Sequence, residues 1–243
     1  MRSPLEDGAW LELASVDSTQ DAAANLLRLH DDAAVPGVIM TTDQTAGRGR
    51  FGRKWHGDPG DSLAMSLVMK AYRDHPKPYL IGMAVAVAAV GAIHGHLRWP
   101  NDLLLGGRKA GGVLTELLPD AEGRLVPVVG LGINLNQKGF PEEIADLATS
   151  VAMYHGGEHD AAAVGHSILD RLCRLPEPDS WDALEPLWML FDETPGKHYK
   201  LPDGREGVAI GVGPDGRLLC SVGGETVSTM AAEAWAAGVP AGS

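Results

Sequence analysis

Residues 10–16 alternate apolar and polar side chains, the period-two pattern of a half-buried strand. The spacing then changes. Ala23, Leu26, Leu27 and His30 recur at helical intervals behind Ser18-Thr19-Gln20-Asp21, where Ser18 is placed to cap and Asp21 stands three positions on. Short apolar runs at 38–42 and 63–69 predict two more strands. The run at 79–93, YLIGMAVAVAAVGAI, predicts a buried helix, being too short to cross a bilayer comfortably. Strands are expected at 103–105 and 110–117, joined by Gly106-Gly107, a pair suited to a tight hairpin turn, and again at 125–135. Helical patterns at 141–147, 160–175 and 180–192 complete the larger part. Beyond Pro195, short alternating runs surround Pro214-Asp215-Gly216 and Gly223-Gly224, which reads as a small β module. Hairpins mixed with helices favour an α+β fold with a mixed or antiparallel sheet over a doubly wound one. The expected division is 1–193 and 194–243.

The 243 residues suffice for one large domain, or one large and one small. With 44% hydrophobic and 21% charged residues, an ordinary soluble core is expected. A net charge of −12 argues against general nucleic-acid binding. The opening MRSPLEDGAW has no apolar run behind its charge and so does not read as a signal peptide. Cys173 and Cys220 show no CxxC spacing and the histidines no HExxH pattern, which disfavours a disulfide framework or a zinc site and makes the cytoplasm the default compartment.

Against this acidic background, Gly47-Arg48-Gly49-Arg50-Phe51-Gly52-Arg53-Lys54-Trp55 stands out. Four of the chain's 20 basic residues fall within seven positions there, interleaved with glycine. Clustered positive charges repel and interior glycines weaken helix and strand, so folding alone does not ask for this pattern. Glycines let a backbone approach a ligand, and guanidinium groups grip phosphate or carboxylate at two points. An anion-binding loop is the functional reading; a solvated basic loop or a short nucleic-acid patch is the bland one.

Three further segments carry candidate chemistry. Arg98-Trp99-Pro100-Asn101-Asp102 precedes Arg108-Lys109-Ala110-Gly111-Gly112, so Asp102 and Lys109 lie on the two sides of the proposed turn. A carboxylate there can hold magnesium and a lysine can meet phosphate, or the two form an exposed ion pair of little consequence. Gly111-Gly112 inside a strand indicate that a ligand or another backbone comes close. Gly130-Leu131-Gly132-Ile133-Asn134 lacks the third glycine and the following helix of a dinucleotide fingerprint. Asn134 fits a ligand contact or a satisfied turn residue equally. Ser18, Thr19, Gln20 and Gln44 supply directional donors and acceptors. No covalent nucleophile with a paired base is evident. Positive charge, glycine and orienting polar groups suit phosphoryl or adenylyl transfer, where positioning and charge stabilisation do most of the catalysis.

Taken in order, these segments resemble the biotin protein ligases (biotin–[acetyl-CoA-carboxylase] ligases). Residues 47–55 resemble the family's GRGRxGRxW loop, 98–102 its KWPND segment, 109–112 its Kx(A/G)G(I/V)L segment and 130–134 its GxGIN strand. The resemblance implies a class II synthetase-like catalytic domain with a small C-terminal SH3-like β-barrel. It implies attack of the biotin carboxylate on ATP, with magnesium present, to give biotinyl-5′-AMP. The lysine of a biotin carboxyl carrier domain then takes the biotinyl group. Position by position, it implies that Ser18, Thr19, Gln20 and Gln44 bind biotin. Arg48, Gly49 and Arg50 cover biotin and the adenylate phosphate, with Gly111 and Gly112 in the biotin site. Lys109, with Arg48 and Arg50, carries the chemistry at carboxylate and α-phosphate. Trp55, Asn101, Asn134 and Arg50 face ATP, and Asp102 is the candidate magnesium ligand.

Departures from the family pattern are Gln20 where many relatives carry Asn, Arg98 for the usual Lys, and the apolar Phe51. Larger members carry an N-terminal winged helix-turn-helix. Here a catalytic-type strand begins near Trp10, so the monofunctional type without repressor function is expected, as a monomer or homodimer with no nucleic-acid or membrane partner. A lipoate–protein ligase, which shares the fold and adenylation logic, and a non-catalytic biotin sensor or carrier-docking module are the rival readings.

Overall fold

The structure, a computed structural model, describes residues 1–49, 55, 57–230 and 233–235. β1 (Trp10–Glu12) and α1 (Thr19–Leu29) open the chain. They are followed by β2 (Val38–Thr41), β3 (Ser62–Val68), α2 (Pro78–Ile93), β4 (His96–Arg98), β5 (Asp102–Leu105), β6 (Arg108–Pro119) and β7 (Leu125–Asn134). Then come α3 (Val151–His155), α4 (Ala161–Cys173) and α5 (Trp181–Met189). A second group of strands follows: β8 (His198–Lys200), β9 (Glu206–Val212), β10 (Leu218–Val222), β11 (Glu225–Thr229) and β12 (Glu233–Trp235).

The first seven strands form one sheet in the order β1-β2-β3-β7-β6-β5-β4. β1 runs parallel to β2, and the other pairs are antiparallel. This is the mixed sheet expected of an α+β chain.

Strand alternation gives the sheet two different faces. Leu63, Met65, Leu67, Val129, Leu131 and Ile133 turn to one side and pack on α2, α4 and α5. Helix α2 is apolar around its whole circumference because it has neighbours on all sides, the sheet above and α4 and α5 flanking. Each fully buried Leu or Ile there, such as Leu80 and Ile81, is worth about 1.5–3 kcal/mol relative to exposure. On the other face α1 lays Ala23 and Leu27 against Ile39, Val68, Val126 and Val128. Farther along that same face the large side chains stop, and the site begins.

The second sheet is antiparallel, in the order β11-β10-β9-β8-β12. Its core holds Tyr199, Leu201, Ala209, Leu218 and Cys220, and it also takes in Trp99 from the loop between β4 and β5. The indole Nε1 of Trp99 donates to the Gly216 carbonyl at 3.0 Å, and Tyr199 Oη donates to the Trp99 carbonyl at 2.8 Å.

Several expected elements differ. The 10–16 strand ends at Glu12, and Val16 makes only an isolated bridge to Gln44. Residues 141–147 form turns instead of a helix. Ile144 and Leu147 are only half-buried, leaving no apolar stripe to fasten a helix, while the Leu147 carbonyl is drawn to the Lys109 amide at 2.7 Å. Strand β4 and the short α3, capped by Ser150, were not foreseen. Among the described residues no helix is long and apolar enough to cross a membrane.

Candidate active site

The floor of the site is a stretch of sheet with almost no side chains. Register places Ala64 opposite Gly132, Gly132 opposite Gly112, and Ser66 opposite Gly130. Directly opposed residues share a face, so these small residues form one patch across β3, β7 and β6. Two side chains lie on it. A Cβ at Gly130 would sit 3.1 Å from Gln20 Cδ, and one at Gly132 would sit 2.7 Å from Trp55 Cε2. The GxG of β7 thus makes room for an amide and an indole. Gly111 has a different reason: a Cβ there would meet the Gly132 carbonyl oxygen at 2.6 Å, so another backbone is what comes close.

The N-terminus of α1 forms one wall. Ser18 caps the helix by accepting from the Asp21 amide. Thr19 is fixed on both sides, its amide donating to Gln44 Oε1 at 2.9 Å and its hydroxyl accepting from Ser66 at 2.8 Å. Thr19 is thus tied to Gln44 and to Ser66 of β3, while the next residue, Gln20, reaches across to Glu116 of β6 and Val128 of β7. Arg48 reaches back over this wall, with Nη1 2.5 Å from Asp21 Oδ2 and Nη2 3.4 Å from Glu116 Oε2. The hydrogen bond that Arg48 donates to Asp21 is the main cause that pushes its pKa above the ordinary value, against desolvation. Gly49 is half-buried beside it. Arg50 lies outside the described residues.

The opposite wall is built by a bulge. Leu103 pairs with Gly111 but Leu104 pairs with Lys109, so two residues of β6 step past one of β5. Without that extra residue Lys109 would point to the face opposite Gly112; with it, both share the floor side. Lys109 Nζ lies 2.5 Å from Asp102 Oδ1, and Arg98 donates to Asp102 Oδ2 at 2.7 and 3.2 Å through Nη2 and Nε. Burial pushes the Asp102 carboxyl up, but the charges of Lys109 and Arg98 outweigh it and hold the group below the usual carboxylate range.

Each oxygen of Asp102 already faces a cation, so this carboxylate does not fit a magnesium ligand. Its observed contacts orient Lys109. Among the described residues no group of three His, Cys, Asp or Glu is placed to hold a metal ion.

The amides expected at the nucleotide have structural partners. Asn101 Nδ2 donates to the Val113 carbonyl at 2.8 Å, and the buried Asn134 donates to the Thr149 carbonyl at 3.0 Å. Trp55 Nε1, in contrast, is buried without a partner. Beside the indole remains a cavity of about 10 Å³ lined by Thr42, Gln44, Gly57, Ser62 and Ala64. That is room for about one water, so a ligand on this part of the floor displaces the indole. A larger cavity of about 360 Å³, lined by Asp32, Lys70 and Arg73 among others, lies at the other end of β2 and β3. Its main charges are already satisfied: Lys70 Nζ donates to the Asp32 and Val35 carbonyls, and Arg73 pairs with Asp32 and Asp120. The convergent donors near Lys109 and α1 make the better site.

Glu116, Ala64 and Ser66 escaped the sequence reading, and Asp21 entered it only as part of the helix start. The only signal was positional. Gly112, Leu114 and Glu116 share a strand face at period two, which marks Glu116 as a neighbour of the glycine floor.

Residues 12–134 match the model of the biotin/lipoate A/B protein ligase family. The chain belongs to that family. It is 29% identical to a biotin–[acetyl-CoA-carboxylase] ligase of Mycobacterium tuberculosis, over 92% of this chain and 88% of that one. It is 36% identical over 163 residues to a bifunctional ligase/repressor BirA of Bacillus spizizenii. The chain spans about half the length of the Bacillus relatives it matches, 49% of each. Among solved structures, a biotin protein ligase from Aquifex aeolicus in complex with biotin and ATP superposes with a TM-score of 0.73 at 28% identity, covering 93% of this chain and 97% of that one. The fold is that of biotin protein ligases, and the described residues of the four sequence segments fall within or beside the floor and its walls.

Proposed function

We propose that this chain is an ATP-dependent biotin protein ligase, which forms biotinyl-5′-AMP and passes the biotinyl group to a lysine of a biotin carboxyl carrier domain. One observation carries the reading. The site has two ends of different polarity on one floor of small residues, with Leu114 between them on β6. At one end Lys109, Arg98 and Asp102 sum to a single positive charge; at the other Arg48, Asp21 and Glu116 sum to a single negative charge beside Gln20. A carboxylate and a phosphate are drawn to the first end, and a neutral ring rich in N–H donors to the second. Gly112 and Glu116 lie four residues apart on β6, a span of roughly 13 Å, enough for a ring and its acyl chain.

In the first half-reaction the biotin carboxylate attacks the α-phosphorus of ATP and pyrophosphate leaves. Two anions must meet, and Lys109 is the point charge held in place to reduce their repulsion. Thr19, Gln20 and Gln44 hold the ring and fix the carboxylate's approach. Arg48 and Arg50 cover biotin and the adenylate phosphate, with Arg48 starting from the ring end, and displacement of Trp55 from the floor makes space on the nucleotide side. In the second, the acceptor amine attacks the acyl carbon and AMP departs. Magnesium is expected with the nucleotide, but the described residues supply no ligand set for it. The free thiols of Cys173 and Cys220 suit a reducing, cytoplasmic setting.

The test is pyrophosphate release from ATP and magnesium, with biotin or lipoate added and no carrier present. Release dependent on biotin supports the reading. Release with lipoate alone keeps the adenylation chemistry and changes the substrate, while no release with either overturns the reading.

A further inference from the structure

Gln20 is 5% exposed. Its Nε2 faces two acceptors, Glu116 Oε2 at 2.8 Å and the Val128 carbonyl at 3.4 Å. A carboxylate and a carbonyl only accept hydrogen bonds, so the amide has one workable orientation. Turned over, Oε1 would oppose both oxygens. In the orientation that remains, Oε1 is buried and has no partner. A buried acceptor left unpaired is costly unless a ligand completes it. It lies over Gly130, on the floor itself, 3.3 Å from where a Cβ of that residue would be.

We propose that Glu116 is a specificity-determining positioning residue. By accepting from Gln20 Nε2 it turns Gln20 Oε1 into a fixed, desolvated acceptor for an N–H of the ligand's ring. The inference rests on the ligase reading and names what selects its acid substrate. A cyclic urea such as that of biotin supplies the missing N–H. The dithiolane of lipoate has none and would leave Oε1 buried and unpaired. A site built to bond an N–H rejects analogues that lack it far more strongly than an apolar pocket rejects a missing methylene. Arg48, 3.4 Å away on the same carboxylate oxygen, braces Glu116 from the other side. Without Glu116 the amide is free to rotate and present its donor.

The experiment compares biotin, biotin methylated at either ureido nitrogen, and lipoate. Binding is read by titration calorimetry and the first half-reaction by pyrophosphate release. Wild type should discriminate against one of the methylated analogues by on the order of 100-fold. Glu116→Gln, whose amide can donate or accept, should weaken biotin by about tenfold, through KM more than kcat, and shrink that discrimination to a few-fold. Gln20→Met keeps length and burial without an acceptor and should lose the same discrimination. Asp21→Asn removes the other carboxylate on Arg48 but leaves its contact with Glu116, and should keep the ratio. The proposal fails if Glu116→Gln retains the wild-type KM and the full penalty, or if Asp21→Asn erases the penalty equally. A wild-type protein that binds biotin while those variants behave this way overturns this inference only; one that does not bind biotin overturns the ligase reading as well.

Discussion

Lys109 Nζ lies 2.5 Å from Asp102 Oδ1, across a hairpin that only a bulge in β6 allows to close this way. The turn itself depends on Gly106 and Gly107, both at positive φ, of 56° and 76°. The pair does not resemble a surface ion pair of little worth, because Asp102 is largely buried and shared with Arg98. Its role in catalysis is orientation: a lysine on a four-carbon stem needs a partner to stand at one place. Asp102→Asn should therefore cut biotin-dependent pyrophosphate release by on the order of 100-fold while leaving biotin affinity within a few-fold. Steady-state rates with calorimetric affinities would check it; equal losses in both would show that Asp102 serves binding and not the transition state.

The same carboxylate makes an acid-stability prediction. Its native pKa lies below its ordinary value, through Lys109 and Arg98 acting against burial. The unfolded chain then binds its proton at a higher pH, near 3.9, than the native one does. The stabilisation is thus fully present above that value and is lost as pH falls through the native pKa. Wild type should lose stability below about pH 4 more steeply than Asp102→Asn, whose amide does not titrate. Denaturant midpoints measured between neutral and strongly acidic pH would show parallel acid limbs if the pair contributes nothing.

Gly111 and Gly132 are neighbours across the sheet but should fail differently. Gly111→Ala places a methyl 2.6 Å from a backbone oxygen, which has no rotamer to relieve it, so the expected cost is about 1–3 kcal/mol of stability. Gly132→Ala meets the Trp55 indole at 2.7 Å, and the ring can leave. The expected outcome is near-normal stability with a red-shifted Trp55 emission and a raised KM for ATP. Denaturation curves beside difference fluorescence, with Trp55→Phe made in each background to isolate the Trp55 contribution among the six tryptophans, would separate the two cases.

Much of this was legible in the chain. Ser18 as cap, the 79–93 helix and the Gly106-Gly107 turn follow from local rules, and local rules hold where neighbours agree with them. Ser18, Thr19, Gln20 and Gln44 were visible as residue types, but not that Thr19 is tied to Gln44 and Ser66 while Gln20 reaches Glu116 and Val128. What stayed hidden depends on register between distant strands. Glu116 matters only because β7 brings Val128 and Gly130 beside it, and Lys109 faces the floor only because of one inserted residue. For Asp102 the sequence offered two readings, a magnesium ligand or half of an exposed pair with Lys109; what it did not show is that the pair is largely buried and that Arg98 takes the second oxygen. The 141–147 segment failed as a helix for a related reason: its own bonds stop at turns, Ile144 to Pro141 and Leu147 and Ala148 to Ile144, and the Leu147 carbonyl goes to the Lys109 amide.

Trp99 tests how the second sheet serves the first. It is 3% exposed and packs in the core of the C-terminal strands, although its chain neighbours Arg98 and Asp102 belong to the site. Its amide donates to Thr194 Oγ1 at 2.8 Å, its indole to Gly216 at 3.0 Å, and its carbonyl accepts from Tyr199 at 2.8 Å. The segment carrying Arg98 and Asp102 is thereby held from the C-terminal side. Trp99→Ala should cost about 3–5 kcal/mol, as an emptied aromatic site does. It should also lower pyrophosphate release beyond what the folded fraction explains, since Asp102 then loses its fixed place beside Lys109. Trp99→Phe keeps much of the packing and forfeits only the bond to Gly216, so most of the activity should return. If both variants lose stability in proportion to size but keep full activity per folded molecule, the second sheet contributes to stability alone and Asp102 is positioned by its own sheet.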